Sequence, residues 1–306
     1  ALGPVLGGFL VDQLDWRYVM FAPAPVTLLG VFMAWRFLPL PVSRPARYPF
    51  DLPGLLSLGV IVAVSLDALN RLQSHQGQVP LIIVEALLAV AALVFFVIRE
   101  RRTAHPLLNL ILLRRSSFVY ANIGALALGL SLFGSTYLIP LFVQSALNYT
   151  ATDAGLLMLP AGLALGVTFP LAGRMADRYS ARGLIVLGIG LFALSALLFA
   201  VSDLALAFGW LALWAVLGRI GLGFMLPALS TGALNPLAVH ELGAGSSVIN
   251  FTRQLGGAYG INAVALTLEF GEHSGGLPTL SAFQTAWWLV AVFVALAAIP
   301  VWRMRA

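Results

Sequence analysis

The run GLIVLGIGLFALSALLFAVS, residues 183–202, carries no charge, and it has the roughly 20 residues that a helix needs to cross a hydrocarbon layer about 30 Å thick. It is too long and too uniformly apolar for an alternating strand of a membrane barrel, so its backbone groups must bond within the segment, as a helix. Working outward, runs of the same kind lie at residues 17–38, 52–71, 80–98, 118–144, 154–173, 205–231, 245–270 and 281–302. With the first they make nine full spans. Residues 1–11 are apolar but only half of spanning length, and they read as the middle of a tenth helix whose start, with any targeting signal, lies upstream. The expected fold class is an all-α membrane protein, a helical bundle of about nine full transmembrane helices plus one partial.

Composition points the same way. Of 306 residues, 17 are basic and 12 acidic, 60% are apolar, and mean hydropathy is +0.95. A soluble domain carries about a quarter charged residues, and a disordered chain needs the opposite balance. All the basic residues are Arg, in no run longer than two, so the pI near 10.1 gives no phosphate-tracking stripe and nucleic acid is not an expected partner. Cysteine is absent, which removes disulfides and thiolate metal sites. The histidines His75, His105, His240 and His273 all fall between the runs, and His240 with Glu241 lacks the second His of HExxH. No metal, cofactor or enzymatic activity is expected.

Counting Arg loop by loop tests the partition. Arg36, Arg44 and Arg47, then Arg99, Arg101, Arg102, Arg114 and Arg115, then Arg174, Arg178 and Arg182, and finally Arg303 and Arg305 all fall on one face. The other face has Arg17 and Arg71, with Asp12, Asp15, Asp153, Asp203, Glu269 and Glu272. The Arg-rich face, and with it the C-terminus, is expected to be cytoplasmic. The longest connection on that face, residues 99–117, holds the short apolar piece 106–113 between Arg pairs. It is expected to lie among the headgroups, dipping Leu and Ile side chains while Arg meets anionic membrane lipids. It serves as linker between an N-terminal part, residues 1–98, and a six-helix C-terminal unit, residues 118–306.

Several residues inside or beside the spans stand out. Gly3, Pro4, Gly7 and Gly8 sit inside a helix, where they are costly unless backbones must approach or bend, and Gly3 with Gly7 makes a small-xxx-small face. Gly256, Gly257 and Gly260 repeat the device late in the chain, which fits internal repeats packed across an axis, although ordinary helix packing uses the same motif. GRMADRYSAR, residues 173–182, is a tight loop opened by Gly173. Its Asp177 is placed to pair with Arg174, Arg178 and Arg182 and to meet the next helix N-terminus, as a conformational latch or as a plain counter-charge. Arg219 falls near the bilayer midplane and must face protein or water, acting either on a carboxylate or gate or as an Arg held by backbone carbonyls. Phe133, Tyr137 and Gln144 share a helix face, and Asn250, Gln254 and Asn262 add hydrogen-bonding groups. Together they form a candidate wall for a small-molecule substrate, with packing or lipid contact as the alternative for each aromatic. Asp67 and Glu85 lie near the outer headgroups, where snorkelling or an Asp67–Arg71 pair accounts for them, with proton transfer as the alternative. Trp287 and Trp288 read as interface anchors.

These stretches resemble the major facilitator superfamily, in particular its fourteen-helix drug:proton antiporters. GPVLGG, residues 3–8, looks like that branch's antiporter signature on the fifth helix, and DWRYVMFAPAPVTLLG, residues 15–30, like the entry to its sixth. GRMADRYSAR is similar to the loop between second and third helices of each half, with Ser180 where Gly is usual. PLLNLILLRRSSFVYANIG, residues 106–124, and NFTRQLGGAYG, residues 250–260, also resemble it, and RIGLG at 219–223 faintly echoes its proton-relay motif. The resemblance implies a proton-driven exporter of small amphipathic or cationic compounds in a bacterial plasma membrane, with protons as coupling partner and a monomer as its expected state. Residues 1–98 would be the remnant of a first bundle plus an inserted helix pair, 52–71 and 80–98. The coupling carboxylates and much of the substrate wall are commonly carried by that first bundle. A symporter of the same fold and a non-transporting receptor or scaffold are the alternatives.

Overall fold

The computed structural model describes residues 3–38, 51–73, 79–103, 106–108, 110–271 and 279–304, and every regular element among them is helical. Helix α1 is Gly3–Gln13, α2 Trp16–Phe21, α3 Pro23–Phe37, α4 Leu52–Gln73 and α5 Val79–Arg102. Helix α6, Ser116–Leu141, continues through a π-helical turn, Phe142–Ala146. Then come α7 Ala151–Ala176, α8 Ala181–Ala200, α9 Phe208–Leu234, α10 Leu242–Phe270 and α11 Leu280–Trp302. Eight stretches are long and apolar enough to cross a membrane, with α2 and α3 counted as one. Helix α10 is 29 residues long but misses that apolarity because Asn250, Arg253, Gln254 and Asn262 interrupt it. It is the ninth expected span.

Departures from the sequence-based boundaries have local causes. The expected helix 17–38 breaks at Ala22, because Pro23 has no N–H to give and takes the first position of a new helix. The ladder of α6 carries Pro140, which cannot donate, and then widens into the π turn. Helix α9 starts at Phe208 rather than 205, since the Asp203 carboxylate accepts the Ala205 N–H and holds the preceding turn.

Helices α6 to α11 form one bundle with a continuous apolar core, in which α6 packs on α10, α9 on both α7 and α8, and α8 on α11. Phe199 stacks on Trp287 at 4.6 Å and meets Trp214 edge-on at 5.6 Å. Trp287 is therefore a core residue at 2% exposure, which corrects its expected role as an interface anchor; Trp288, one position round the helix, stays half exposed. The linker also differs from expectation. Residues Leu110–Arg114 form a 3₁₀ turn that buries Leu112 completely in the bundle core while Ile111 and Leu113 remain exposed. A five-residue turn cannot lay all its apolar side chains on one side, so it is pinned to protein as well as open to lipid.

The pair α4–α5 packs on itself and, through α4, on α10. At one end Arg71 bridges Asp67 at 2.9 Å and Glu85 at 2.8 Å, so both acids of the outer spans belong to a single clasp. At the other, buried Asp51 accepts from Gly54 N–H, Arg99 and Thr103, and Glu100 accepts the backbone N–H groups of Leu107 and Leu108. Ser65 of α4 hydrogen-bonds Tyr259 of α10 at 2.5 Å. Among the described residues Arg36, Arg99, Arg101, Arg102, Arg114, Arg115, Arg174, Arg178, Arg182 and Arg303 gather at one end of the alternating helices, and Arg17 and Arg71 at the other. Arg44, Arg47, His75, His105, Glu272, His273 and Arg305 lie outside the described residues.

The burial of Trp287 predicts that Trp287→Ala costs roughly 3–5 kcal/mol, while Trp288→Ala costs under about 1 kcal/mol. Unfolding in detergent measures both, and equal losses would contradict the core assignment.

Candidate functional site

Pro4, Gly8 and Asp12 recur every four residues and so share one face of α1. That face lies against the first turns of α7. A methyl group added to Gly8 would fall on the backbone of Ala151, and one added to Gly155 would fall 2.5 Å from the Pro4 carbonyl oxygen. Asp12 finishes the contact, its Oδ2 accepting from the Thr152 N–H at 2.7 Å and the Thr152 hydroxyl at 2.5 Å. A carboxylate at a helix N-terminus also meets the positive end of the helix dipole. Gly3 and Gly7 face elsewhere, with no atom within 4 Å of an added Cβ. Of the four residues singled out on α1, Pro4 and Gly8 are the ones that meet α7.

The second glycine seam closes inside the six-helix bundle. Added methyl groups on Gly256 and Gly260 would strike the backbone of Leu126 and Leu130, one on Gly257 the ring of Phe133, and one on Gly129 the backbone of Arg253. The seams therefore join α1 to α7 and α10 to α6. Beside the α6–α10 seam, buried Asn122 accepts the Thr252 hydroxyl at 2.8 Å, a cross-helix hydrogen bond inside the membrane span.

The Asp177 cluster takes another form than expected. Helix α7 runs to Ala176 and Asp177 caps it, so Ser180, accepting the Gly183 N–H, becomes the N-cap of α8 in its place. Arg182 turns to the far end of α11, reaching the carbonyl oxygens of Trp302 and Met304 and lying over the Trp302 ring. Neither Asp177 nor Arg178 forms an ion pair among the described residues, and Gly173 has open space around it. Within the six-helix bundle at this end Arg115 pairs with Glu241 at 3.1 Å, and Glu241 also accepts the Ala238 N–H at 3.0 Å. The backbone N–H and the Arg115 guanidinium, against the opposing pull of burial, hold the Glu241 carboxyl below its ordinary value.

Arg219 is buried on α9 at 5% exposure, and its Nη2 donates to the Thr136 hydroxyl of α6 at 2.9 Å. No carboxylate and no backbone carbonyl takes that bond. Ser135, Ser195 and Trp287 line a small void beside it. Of the candidate substrate wall, Phe133 packs over Gly257, Tyr137 is 38% exposed, and Gln144 lies on the π turn donating to the Pro140 carbonyl. Asn250 and Gln254 are exposed on α10, Asn250 accepting from Arg253 Nη2 at 3.0 Å, while Asn262 donates to the Ala258 carbonyl. A crevice of about 30 Å³ runs between α6, α9 and α10, with Asn250 and Arg253 on its wall.

Sequence reasoning missed Asp12 with Thr152, Asn122 with Thr252, Ser65 with Tyr259, and Thr136. Asn122 was visible as an amide inside an apolar run. The hydroxyls gave no signal, because Ser and Thr in a helix usually satisfy themselves on the preceding turn.

The family model described as Major Facilitator Superfamily matches residues 1–261. The Multidrug resistance protein B homolog of Mycobacterium tuberculosis is 30% identical over 279 residues, covering 88% of this chain and 51% of that protein. The Multidrug export protein EmrB of Haemophilus influenzae is 31% identical, covering 84% and 51%, and the Lincomycin resistance protein of Streptomyces lincolnensis 32%, covering 90% and 57%. The chain spans about half the length of such curated relatives. Among solved structures, the nucleoside transporter NupG superposes with a TM-score of 0.56 at 15% identity, over 99% of this chain and 81% of that one, a likeness of fold.

The Glu241 contacts contribute stability that is present above the ordinary carboxylate value near 4.3 and is lost as pH falls below it through the lowered folded value. The unfolding-temperature advantage over Glu241→Gln is expected to shrink between pH 6 and pH 3. An advantage that grows on acidification would contradict the pairing.

Proposed function

Because the chain belongs to the major facilitator superfamily, we propose that the full-length protein is a secondary active transporter that exports small amphipathic molecules from a bacterial cell, driven by inward proton movement. The observation that carries this reading is the seal between α1 and α7. It is made at the end opposite the Arg-rich one, by Pro4, Gly8 and Gly155 in backbone contact and by Asp12 bonded to Thr152. With the Arg-rich end cytoplasmic, that seal closes the outer side. Rocking of the two halves about a central cavity requires it to open, which means breaking the Asp12 bonds and parting backbones that touch at Pro4, Gly8 and Gly155.

Residues 1–98 would then be the tail of a first bundle with an inserted helix pair, residues 99–117 the cytoplasmic linker, and 118–306 the second bundle. The direction of transport and the breadth of cargo follow the relatives, whose names speak of multidrug export and antibiotic resistance. On the cytoplasmic side Asp177, Arg178 and Arg182 would form the complementary latch in the opposite conformer. Arg182 already ties α8 to the end of α11, so Asp177 is the member free to change partner. Gly256 and Gly260 would keep α6 and α10 moving as one piece.

Full-length protein reconstituted into vesicles and given a pH gradient tests this. Efflux of an amphipathic dye is expected to rise with the gradient and to collapse when a protonophore removes it. Flux indifferent to the gradient rejects proton antiport, and accumulation alongside the protons means a symporter. Asp12→Ala is expected to slow turnover several-fold with dye binding retained, and unchanged turnover rejects the role of the α1–α7 seal.

A further inference from the structure

Guanidinium groups crowd the stretch from the end of α5 to the start of α6, and their partners sort them. Arg99 is bound to Asp51 at 3.0 Å, and Arg115 to Glu241 and to the Pro236 carbonyl oxygen, both at 3.1 Å. Arg101, Arg102 and Arg114 are exposed and make no ion pair or side-chain hydrogen bond among the described residues. Two of these three share a cavity: Arg101 from the last turn of α5, and Arg114 from the end of the 3₁₀ turn. Arg102 lines a separate cavity with Phe95 and Ile98.

The shared cavity has about 800 Å³, within the span of roughly 300–1,000 Å³ usual for small-molecule sites. Its other walls are mainly aliphatic, from Val97, Leu110, Ile111 and Leu113, and Ile111 is 67% and Leu113 44% exposed. The wall formed by the turn is held at two points. Leu112 is buried completely in the bundle core, and buried Glu100 accepts the N–H groups of Leu107 and Leu108 at 3.3 Å each. Those bonds also occupy the carboxylate of the acid that lines this cavity. Depth is set by α5, Val79–Arg102, which is long and apolar enough to cross a membrane. Its last turn therefore marks the level at which hydrocarbon gives way to headgroups.

We propose that this groove is a binding site for one anionic phospholipid, with its phosphate at Arg101 and Arg114 and the upper part of its chains against Ile111 and Leu113. Unpaired guanidinium forks match phosphate oxygens, and the aliphatic walls match what is attached to that phosphate in a lipid. Those walls give an inorganic ion nothing, which is why lipid is the occupant. Glu100 is the positioning residue, because it fixes the turn that carries Arg114. Since α5 belongs to the attached helix pair and Leu112 to the bundle core, the lipid lies across the joint between the two.

The test uses full-length protein in a neutral detergent and three probes: dioleoyl phosphatidylglycerol, dioleoyl phosphatidylcholine and inorganic phosphate. Phosphatidylglycerol is expected to raise the unfolding temperature with saturation, and the other two to leave it unchanged. Arg101→Gln and Arg114→Gln should each raise the half-saturating concentration about fivefold, whereas Arg102→Gln, which removes the same charge from the neighbouring cavity, should not. Leu113→Ser, with both guanidinium groups kept, should also weaken the lipid. An equal response to phosphatidylcholine, or none to phosphatidylglycerol, overturns the proposal. Equal weakening by Arg102→Gln means diffuse attraction to a basic surface and overturns the site. A response to inorganic phosphate as large as that to the lipid overturns the choice of lipid as occupant.

Discussion

A backbone in hydrocarbon has no water to bond with, and each unsatisfied N–H or C=O there costs several kcal/mol. From that constraint the rest of the structure follows. All regular elements among the described residues are helices, and polar side chains inside them turn mostly to their own backbone, as Ser131, Ser135 and Thr168 do. Without a hydrophobic force between helices, adhesion comes from close backbone approach, which is why α6 meets α10, and α1 meets α7, through glycine. Polar links between helices, such as Asn122 to Thr252, Ser65 to Tyr259 and Arg219 to Thr136, are correspondingly informative.

Those links also indicate which contacts are fixed and which can change. Glycine seams backed by a buried hydrogen bond, as between α6 and α10, make two helices behave as one body. The contact of α1 with α7 is different. Its polar part is one exposed carboxylate on one threonine, a bond that water can replace at modest cost, so the seam is well suited to open and close. The α4–α5 pair has its own clasps at both ends and touches the bundle through α4. It is an attachment to the bundle rather than a part of its core.

The fold was legible because hydropathy and helix length are read from the sequence one segment at a time. Residues 183–202 announced α8 with little ambiguity, and the Arg tally fixed the alternation of ends. Breaks were less legible: Pro23 split one expected span, while Pro140 sat inside a helix that continued as a π turn. The site was legible by residue type and not by partner. Gly8 was singled out, yet whether it or Gly7 carried the contact depended on the rotation of α1, which sequence does not give. Asp177 looked paired because three Arg surround it in sequence, and Arg182 proved to reach α11, 120 residues away. Trp287 and Trp288 are adjacent and alike, and only the core decides which one is buried.

The account depends on the alternation of helix ends, with guanidinium groups left on the inner side. A single cysteine in place of Tyr149, in the turn between α6 and α7, or in place of Ser180, in the turn between α7 and α8, reports it directly when intact cells meet a membrane-impermeant thiol reagent. Cysteine is absent from this chain, so each label reports one position once the rest of the full-length protein is also free of it. The account predicts that Tyr149→Cys reacts from outside and that Ser180→Cys reacts only after the membrane is opened. Reaction of both from the same side would contradict it.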